Sequence, residues 1–265
     1  RAILDNLSEL LNIAKAGTVE SRKVLLSYFG KLKSVEEKPR AGLVSEADKE
    51  SESLLKSHFS KNTPDFDFLG EEEGLSEARA GKKSRGRWIC DPLDGTTNYV
   101  HGLPFFCTSI GLELDGELVL GVIDVPCLDQ QFTAIRGSGA FLNGEKIKTS
   151  SRTRLEECLL VTGFSYRPED LEAQVNTFIP ILKQARGIRR LGAAALDLCY
   201  VASGVFDGFW EQHLNPWDLA AGAVIVSEAG GIVTDFSGKQ IQPLGTEIVA
   251  ASKGIHAQLL GQING

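Results

Sequence analysis

Residues 91–96 read Asp91-Pro92-Leu93-Asp94-Gly95-Thr96, directly after the run Arg87 to Cys90. That run predicts a strand that delivers two carboxylates, three residues apart, at its end. Pro92 fixes a turn and removes one backbone donor. Gly95 permits an unusual dihedral and close approach to a ligand. Such a turn can aim both carboxylates and the Leu93 carbonyl at one place, and hard oxygen donors of this kind suit Mg²⁺. The N–H groups of Gly95 and Thr96 can then face a phosphate oxygen. Alone, the stretch also fits a surface turn with solvated acids.

The surroundings add weight. Upstream, Phe66 to Leu69 predicts a strand that runs into Gly70-Glu71-Glu72. Downstream, Asn215-Pro216-Trp217-Asp218-Leu219-Ala220-Ala221-Gly222 places another acid at a helix start. By itself Asp218 reads as an N-terminal acid favoured by the helix dipole. The small residues behind it let the helix pack closely against a neighbour.

Further outward, residues 1–29 predict a helix with Ile3, Leu7, Leu10 and Ala14 on one face, not a signal peptide. Lys31 to Ser45, with Pro39 and Gly42, predicts a loop or short hairpin, and Asp48 to Phe59 a second helix. Leu75 to Arg85 is polar and basic and predicts a mobile surface loop. Phe105 to Leu114 and Glu117 to Val125 predict strands joined at Asp115-Gly116, followed by Gln130 to Ile135 and an Asn143-Gly144 turn. From about residue 151 strands and helices alternate: Cys158 to Thr162, Glu169 to Gln184, Ile188 to Leu191, Ala193 to Ala202, Val205 to Trp210, Trp217 to Ala229, Ile232 to Asp235, Glu247 to Ala251 and His256 to Ile263. Helices plus an antiparallel meander over 1–150, then an alternating half over 151–265, predict a mixed α/β layered sheet in one compact unit.

Composition bounds the function. The 265 residues carry a net charge of −7. General nucleic-acid binding by charge is not expected from so acidic a chain. No apolar run is long enough to span a membrane. Cys90, Cys107, Cys127, Cys158 and Cys199 are odd in number and widely spaced, which predicts buried free thiols in a reducing, cytoplasmic setting. Trp88, Trp210 and Trp217 are expected in the core.

Gly70-Glu71-Glu72, Trp88-Ile89-Cys90 with the 91–96 turn and Thr97-Asn98-Tyr99, then Trp217 to Gly222 with Glu228-Ala229-Gly230-Gly231, together resemble the inositol monophosphatase family. The likeness runs from about Lys38 to Ala251. It implies the αβαβα sandwich of the inositol monophosphatase and fructose-1,6-bisphosphatase sugar phosphatases, and a homodimer. It implies that Glu71, Asp91 and the Leu93 carbonyl hold a first Mg²⁺, and that Asp91, Asp94 and Asp218 hold a second. Glu71 would also touch a weaker third ion through water. Thr96 and Asp48 would position and activate the attacking water, and Lys38 would lie on a loop near the metals. Glu211, Asp94, Asp218 and the backbone of Gly192-Ala193-Ala194 would bind the substrate's hydroxyls, with Gly95 and Thr96 at the phosphate. The family often has Thr or Ser where this chain has Ala193, so the preferred polyol is left open.

The implied activity is Mg²⁺-dependent, lithium-sensitive hydrolysis of myo-inositol 1-phosphate or another small phosphorylated polyol or sugar. Relatives on the same fold cleave fructose 1,6-bisphosphate, histidinol phosphate or 3′-phosphoadenosine 5′-phosphate, and some bind transcription machinery. A bisphosphate enzyme needs a second basic pocket, for which Arg186, Arg189 and Arg190 are candidates. His101 and His213 are expected to have no catalytic role. Independently of resemblance, several acids gathered from separate elements imply cations between them, because crowded carboxylates otherwise repel.

Overall fold

The computed structural model describes residues 2–38, 42–78 and 84–265, and side chains from residue 6 onward. Pro39 and residues 79–83 of the expected loop, and the Ile3 side chain, lie outside that description.

The chain opens with helix α1 (Ala2–Tyr28), a hairpin β1 (Val35–Lys38) and β2 (Gly42–Ser45), and helix α2 (Glu46–Asn62). Leu7, Leu10 and Ala14 are buried, as their spacing predicts. α2 begins two residues before the expected start because Ser45 caps it and Asp48 closes a capping box. Strands β3 (Asp67–Gly70), β4 (Gly74–Ser76) and β5 (Arg87–Asp94) follow, then a short helix α3 (Thr96–Val100). The surface-loop reading of 75–85 is corrected here: Leu75 and Ser76 pair antiparallel with β3 as an edge strand. Strand β5 is also longer than expected and contains Asp91 to Asp94.

A meander completes the first half: β6 (Cys107–Leu114), β7 (Glu117–Val125), β8 (Gln130–Ile135), β9 (Gly139–Leu142) and β10 (Glu145–Ile147). Asp115-Gly116 and Asn143-Gly144 turn with positive φ at both residues of each pair, as tight hairpins require. The eight strands order as β10-β9-β8-β7-β6-β5-β3-β4, with only β3 and β5 parallel.

The second half contains β11 (Leu159–Thr162), α4 (Pro168–Gln184), β12 (Gly187–Arg189), α5 (Ala194–Ala202), β13 (Gly208–Glu211), α6 (Pro216–Glu228), β14 (Ile232–Thr234), β15 (Ile248–Ala251) and α7 (His256–Asn264). Its sheet orders as β12-β11-β13-β15-β14.

Packing arranges these elements in five layers. α1 and α2 cover one face of the large sheet through Leu10, Leu55, Phe59 and Trp88. α5 and α6 lie between the two sheets in the largest core, which includes Phe132, Leu198, Phe209 and Ile225. α4 and α7 cover the outer face of the small sheet. This is the αβαβα sandwich. α6 approaches the large sheet closely: a Cβ on Gly111 or Gly121 would fall 2.6 and 2.4 Å from atoms of Ala220 and Ala221. The small residues of 220–222 therefore allow the helix to sit against the strands, as their size suggests. All five cysteines are free, and only Cys127 is half-exposed. No described helix is long and apolar enough to cross a membrane.

Candidate active site

Asp91 and Asp94 would point to opposite faces of a regular strand, because side chains alternate. The pairing of β5 with β6 slips between these two residues. An irregularity of this kind re-aims side chains. Both carboxylates consequently turn to one place. Gly95 then takes φ 89, and a Cβ there would stand 3.0 Å from the Phe105 carbonyl. The bend is fixed from behind. Ser51 and Thr108 hydroxyls donate to the Pro92 carbonyl at 3.3 and 3.2 Å, and Ser21 joins both hydroxyls at 2.7 and 2.6 Å.

Asp218 meets this bend from the opposite side, at the first turn of α6. Its Oδ2 accepts the Asn215 N–H at 2.8 Å, which fixes its direction. Carboxylate oxygens of Asp91, Asp94 and Asp218 lie within 4.8 Å of one another. Asp94 also accepts the Ala195 N–H at 2.7 Å, at the N-terminus of α5. The Asp91 carboxylate accepts the Leu93 N–H at 2.9 Å, leaving the Leu93 carbonyl to take a hydroxyl bond from Thr96 at 3.0 Å.

Glu71 follows β3 in the turn to β4. Lys38 Nζ bonds its Oε1 at 2.9 Å and that of Glu72 at 2.5 Å. Burial works against the Lys38 charge, but the two carboxylates outweigh it and raise the ammonium's pKa. Burial also raises the pKa of Glu71, against the pull of Lys38 and with Glu72 adding to the rise. Asp91 is pushed well up by burial and then by Glu71, Asp94 and Asp218. Asp218 is pushed well up by burial and by Asp94. Burial brings Asp94 to about 7. Acids held this far above their ordinary range keep protons unless a cation replaces them. The donor set is all oxygen, in the manner of a Mg²⁺ site.

Asp48 stands behind this wall, fully buried, and reaches the site through Thr96. Its Oδ1 accepts the Thr96 hydroxyl at 2.9 Å, while Oδ2 accepts the Ser45 N–H and hydroxyl at 2.7 and 2.5 Å. Asp48 is thus the third helical residue of the capping box, and Ser45 is the cap.

The acids floor a cavity of about 680 Å³ that also meets Lys38, Gly95, Thr96, Arg167, Arg190, Gly192, Ala193, Ala194, Glu211 and Trp217. Glu211, at the end of β13, is brought to about 8 by burial, against the pull of Arg190. A Cβ on Gly163 would fall 2.1 Å from the Glu211 carboxylate, so that acid occupies space only glycine leaves. Gly192 takes φ 84. Trp217 corrects the expectation of a core residue: it is half-buried at the cavity wall because α6 begins there. Of the three candidate arginines for a second phosphate only Arg190 lines the cavity, which Arg167 lines as well. His213 lies at the rim, 3.7 Å from Asp170, whereas His101 is exposed and outside the cavity lining.

The sequence profile of the inositol monophosphatase family matches residues 6–264. The chain belongs to the inositol monophosphatase family. It is 38% identical over 256 residues to an inositol-1-monophosphatase of Mesorhizobium japonicum, covering 96% of this chain and 95% of that one. It is also 38% identical to a fructose-1,6-bisphosphatase/inositol-1-monophosphatase of Aquifex aeolicus, over 97% and 96% of the two chains. The crystal structure of the extragenic suppressor protein suhB from Bartonella henselae superposes with a TM-score of 0.90 at 40% identity, covering 96% of this chain and 98% of that one. The fold of this family member is that of the phosphatases it resembles.

Sequence reasoning missed two acids near the site. Glu52, fully buried, accepts the Glu72 and Glu73 N–H groups. Asp197, in α5, is buried at the cavity wall with its Oδ1 unpartnered. The signal for Glu52 was present: positions 48, 51 and 52 put polar residues on the buried stripe that continues through Leu55 and Phe59.

Proposed function

We propose that this protein is a Mg²⁺-dependent phosphomonoesterase that hydrolyses myo-inositol 1-phosphate to inositol and phosphate. The observation that carries this reading is the convergence of Asp91, Asp94 and Asp218 within 4.8 Å, at the floor of a cavity rimmed by Lys38, Arg167 and Arg190. A dianionic ester cannot approach such a floor without compensation, and the charge of Lys38 is already taken up by Glu71 and Glu72.

Glu71, Asp91 and the Leu93 carbonyl hold one Mg²⁺ in this reading, and Asp91, Asp94 and Asp218 a second. Glu71 would also touch a third, weaker ion through water. Bound there, the ions neutralise the phosphate, lower the pKa of a water and stabilise the leaving oxygen. The Thr96 hydroxyl has two acceptors, Asp48 Oδ1 and the Leu93 carbonyl, but one hydrogen. Donating it to Asp48 leaves a lone pair of Thr96 to accept a water proton, and so orients that water for attack. The Gly95 and Thr96 N–H groups face the phosphate oxygens.

Glu211 and Asp218 accept hydrogen bonds from the polyol, with the backbone of Gly192, Ala193 and Ala194 completing the contact. Lys38 bonds Glu71 and Glu72 and would lie on the approach to the metals. The halves 1–150 and 151–265 act as one unit, since the site takes acids from both. The protein is assigned to the cytoplasm as a homodimer. Five free thiols support the first, and the exposed apolar row Leu171, Val175, Ile179 and Leu182 on α4 supports the second.

A second reading is fructose 1,6-bisphosphate hydrolysis. The name of the Aquifex aeolicus relative and the presence of Arg167 and Arg190 at the cavity favour it. Phosphate release from inositol 1-phosphate, fructose 1,6-bisphosphate, histidinol phosphate and 3′-phosphoadenosine 5′-phosphate tests both, with Mg²⁺, with chelator and with added lithium. Preferred turnover of the inositol ester that needs Mg²⁺ and falls with lithium is expected. Faster bisphosphate turnover transfers the assignment to the second reading, and no Mg²⁺-dependent release overturns both.

A further inference from the structure

Glu52 is an acid with no exposure at all, and the chemistry above makes no use of it. It stands one helical turn beyond Asp48 on the buried face of α2. Its Oε2 accepts the Glu72 N–H at 2.8 Å and its Oε1 accepts the Glu73 N–H at 2.7 Å. These are the two amides that directly follow Glu71. Gly70, directly before Glu71, is shaped to the same carboxylate: a Cβ there would lie 2.5 Å from Glu52 Cδ. Gly70 and Gly74 face each other in the pairing of β3 with β4, so Glu71, Glu72 and Glu73 form the whole turn between them.

A hairpin of this kind is already closed by its strands. The Glu52 bonds fall outside that ladder, on the backbone that carries Glu71. The charge that accepts them is costly to bury. Burial raises the Glu52 pKa and the charges of Glu72 and Glu73 add to the rise, while the two backbone bonds offset only part of it. A fourth carboxylate placed beneath three others is a poor choice for stability alone, where a neutral acceptor would serve. Its advantage is geometric: two oxygens side by side match two successive N–H donors. Lys38 meanwhile holds the Glu71 and Glu72 side chains from the other side.

We propose that Glu52 is a positioning residue whose carboxylate grips the backbone of the 71–73 turn and sets the direction in which Glu71 presents its oxygens to a divalent cation. The inference rests on the reading of Glu71 as a cation ligand. Glutamine at 52 would turn an NH₂ group toward one of the two backbone donors and break the match. Supports of this type alter metal affinity about 10- to 100-fold when replaced.

The test is the Mg²⁺ dependence of the melting temperature and a calorimetric Mg²⁺ titration of the full chain, with kcat and the Mg²⁺ activation constant measured beside them. Glu52→Gln is expected to weaken Mg²⁺ binding at least about 10-fold, with kcat at saturating Mg²⁺ near wild type. Gly70→Ala is expected to weaken binding in the wild-type background and to do little more in a Glu52→Ala background, where the clash is gone. Wild-type Mg²⁺ affinity in Glu52→Gln, with only the melting temperature lowered, overturns the proposal. Where Glu52→Gln does not fold, Gly70→Ala alone decides: weakened binding supports the grip and unchanged binding overturns it. A wild-type protein that takes up no Mg²⁺ removes the reading of Glu71 instead.

Discussion

Asp94→Asn is expected to abolish turnover and yet to raise the melting temperature of the metal-free protein at about pH 8. Asp94 is 8% exposed, and burial, reinforced by Glu71, brings its pKa from 3.8 to about 7. A carboxyl of this kind binds its proton more tightly in the folded chain than in the unfolded one. The sign follows: stability falls as pH rises from about 4 through about 7, and the loss is complete above that range. At about 1.36 kcal/mol for each pH unit, the full difference is about 4 kcal/mol. Asp91 and Asp218 are pushed up by the same burial and share in the cost, so one substitution recovers only part of it, about 1–3 kcal/mol. The carboxamide oxygen of the variant side chain can still accept the Ala195 N–H, so little hydrogen bonding is lost. For a chain of this length that gain is about 2–10 °C. Calorimetric scans in chelator at about pH 5 and pH 8 measure it. The gap between variant and wild type should open with pH, and saturating Mg²⁺ should close or reverse it by stabilising the wild type. A variant that melts at or below wild type at about pH 8 without metal, or a gap indifferent to pH, refutes the account of crowded acids.

Three further substitutions probe other parts of the molecule. Thr96→Ala removes the hydroxyl between Asp48 and the Leu93 carbonyl and should lower kcat by about 10²–10⁴-fold with little change in Mg²⁺ binding; steady-state kinetics and a metal titration on the same sample check both halves. Gly121→Ala puts a Cβ 2.4 Å from the Ala221 carbonyl, and should cost about 1–3 kcal/mol in denaturant unfolding while weakening Mg²⁺ binding by moving α6 and Asp218. His256 is buried, and burial lowers its pKa below 6.5. Its contribution to stability is therefore present above about pH 6.5 and lost as pH falls through that value toward the lowered pKa. Unfolding curves at about pH 7.5 and pH 5.5 should show His256→Asn losing less stability over that interval than wild type.

Much of the architecture was legible because local rules and tertiary demands agreed. Asp115-Gly116 and Asn143-Gly144 specify tight turns, and both hold a positive φ at each residue. The spacing of Leu7, Leu10 and Ala14 names the buried face of α1. The acids at 71, 91, 94 and 218 stood out as oxygen donors at the ends of expected elements, the family resemblance joined them into one set, and three of them lie within 4.8 Å. What stayed hidden depends on the third dimension. That β5 runs on through Asp94 with a slip in its pairing is invisible in a stretch that reads as a turn. The polar run after Glu73 looks like a loop, yet Leu75 and Ser76 find an open edge on β3. Trp217 carries no mark that separates a cavity wall from a core. Glu52 shares the buried stripe of α2 with Leu55 and Phe59, but nothing in the sequence names the Glu72 and Glu73 amides it grips.

The location of Asp218 has a consequence for how the protein comes to work at all. The other acids of the cluster are laid down early in the chain, in and beside β5, whereas Asp218 arrives only with α6, wedged between two sheets. A partly synthesised or partly folded chain therefore holds an incomplete set of oxygens. On the proposed ligand roles, turnover is expected only once the central helix has docked, which would make enzymatic rate a late and stringent reporter of successful folding, and any truncation short of that helix catalytically silent.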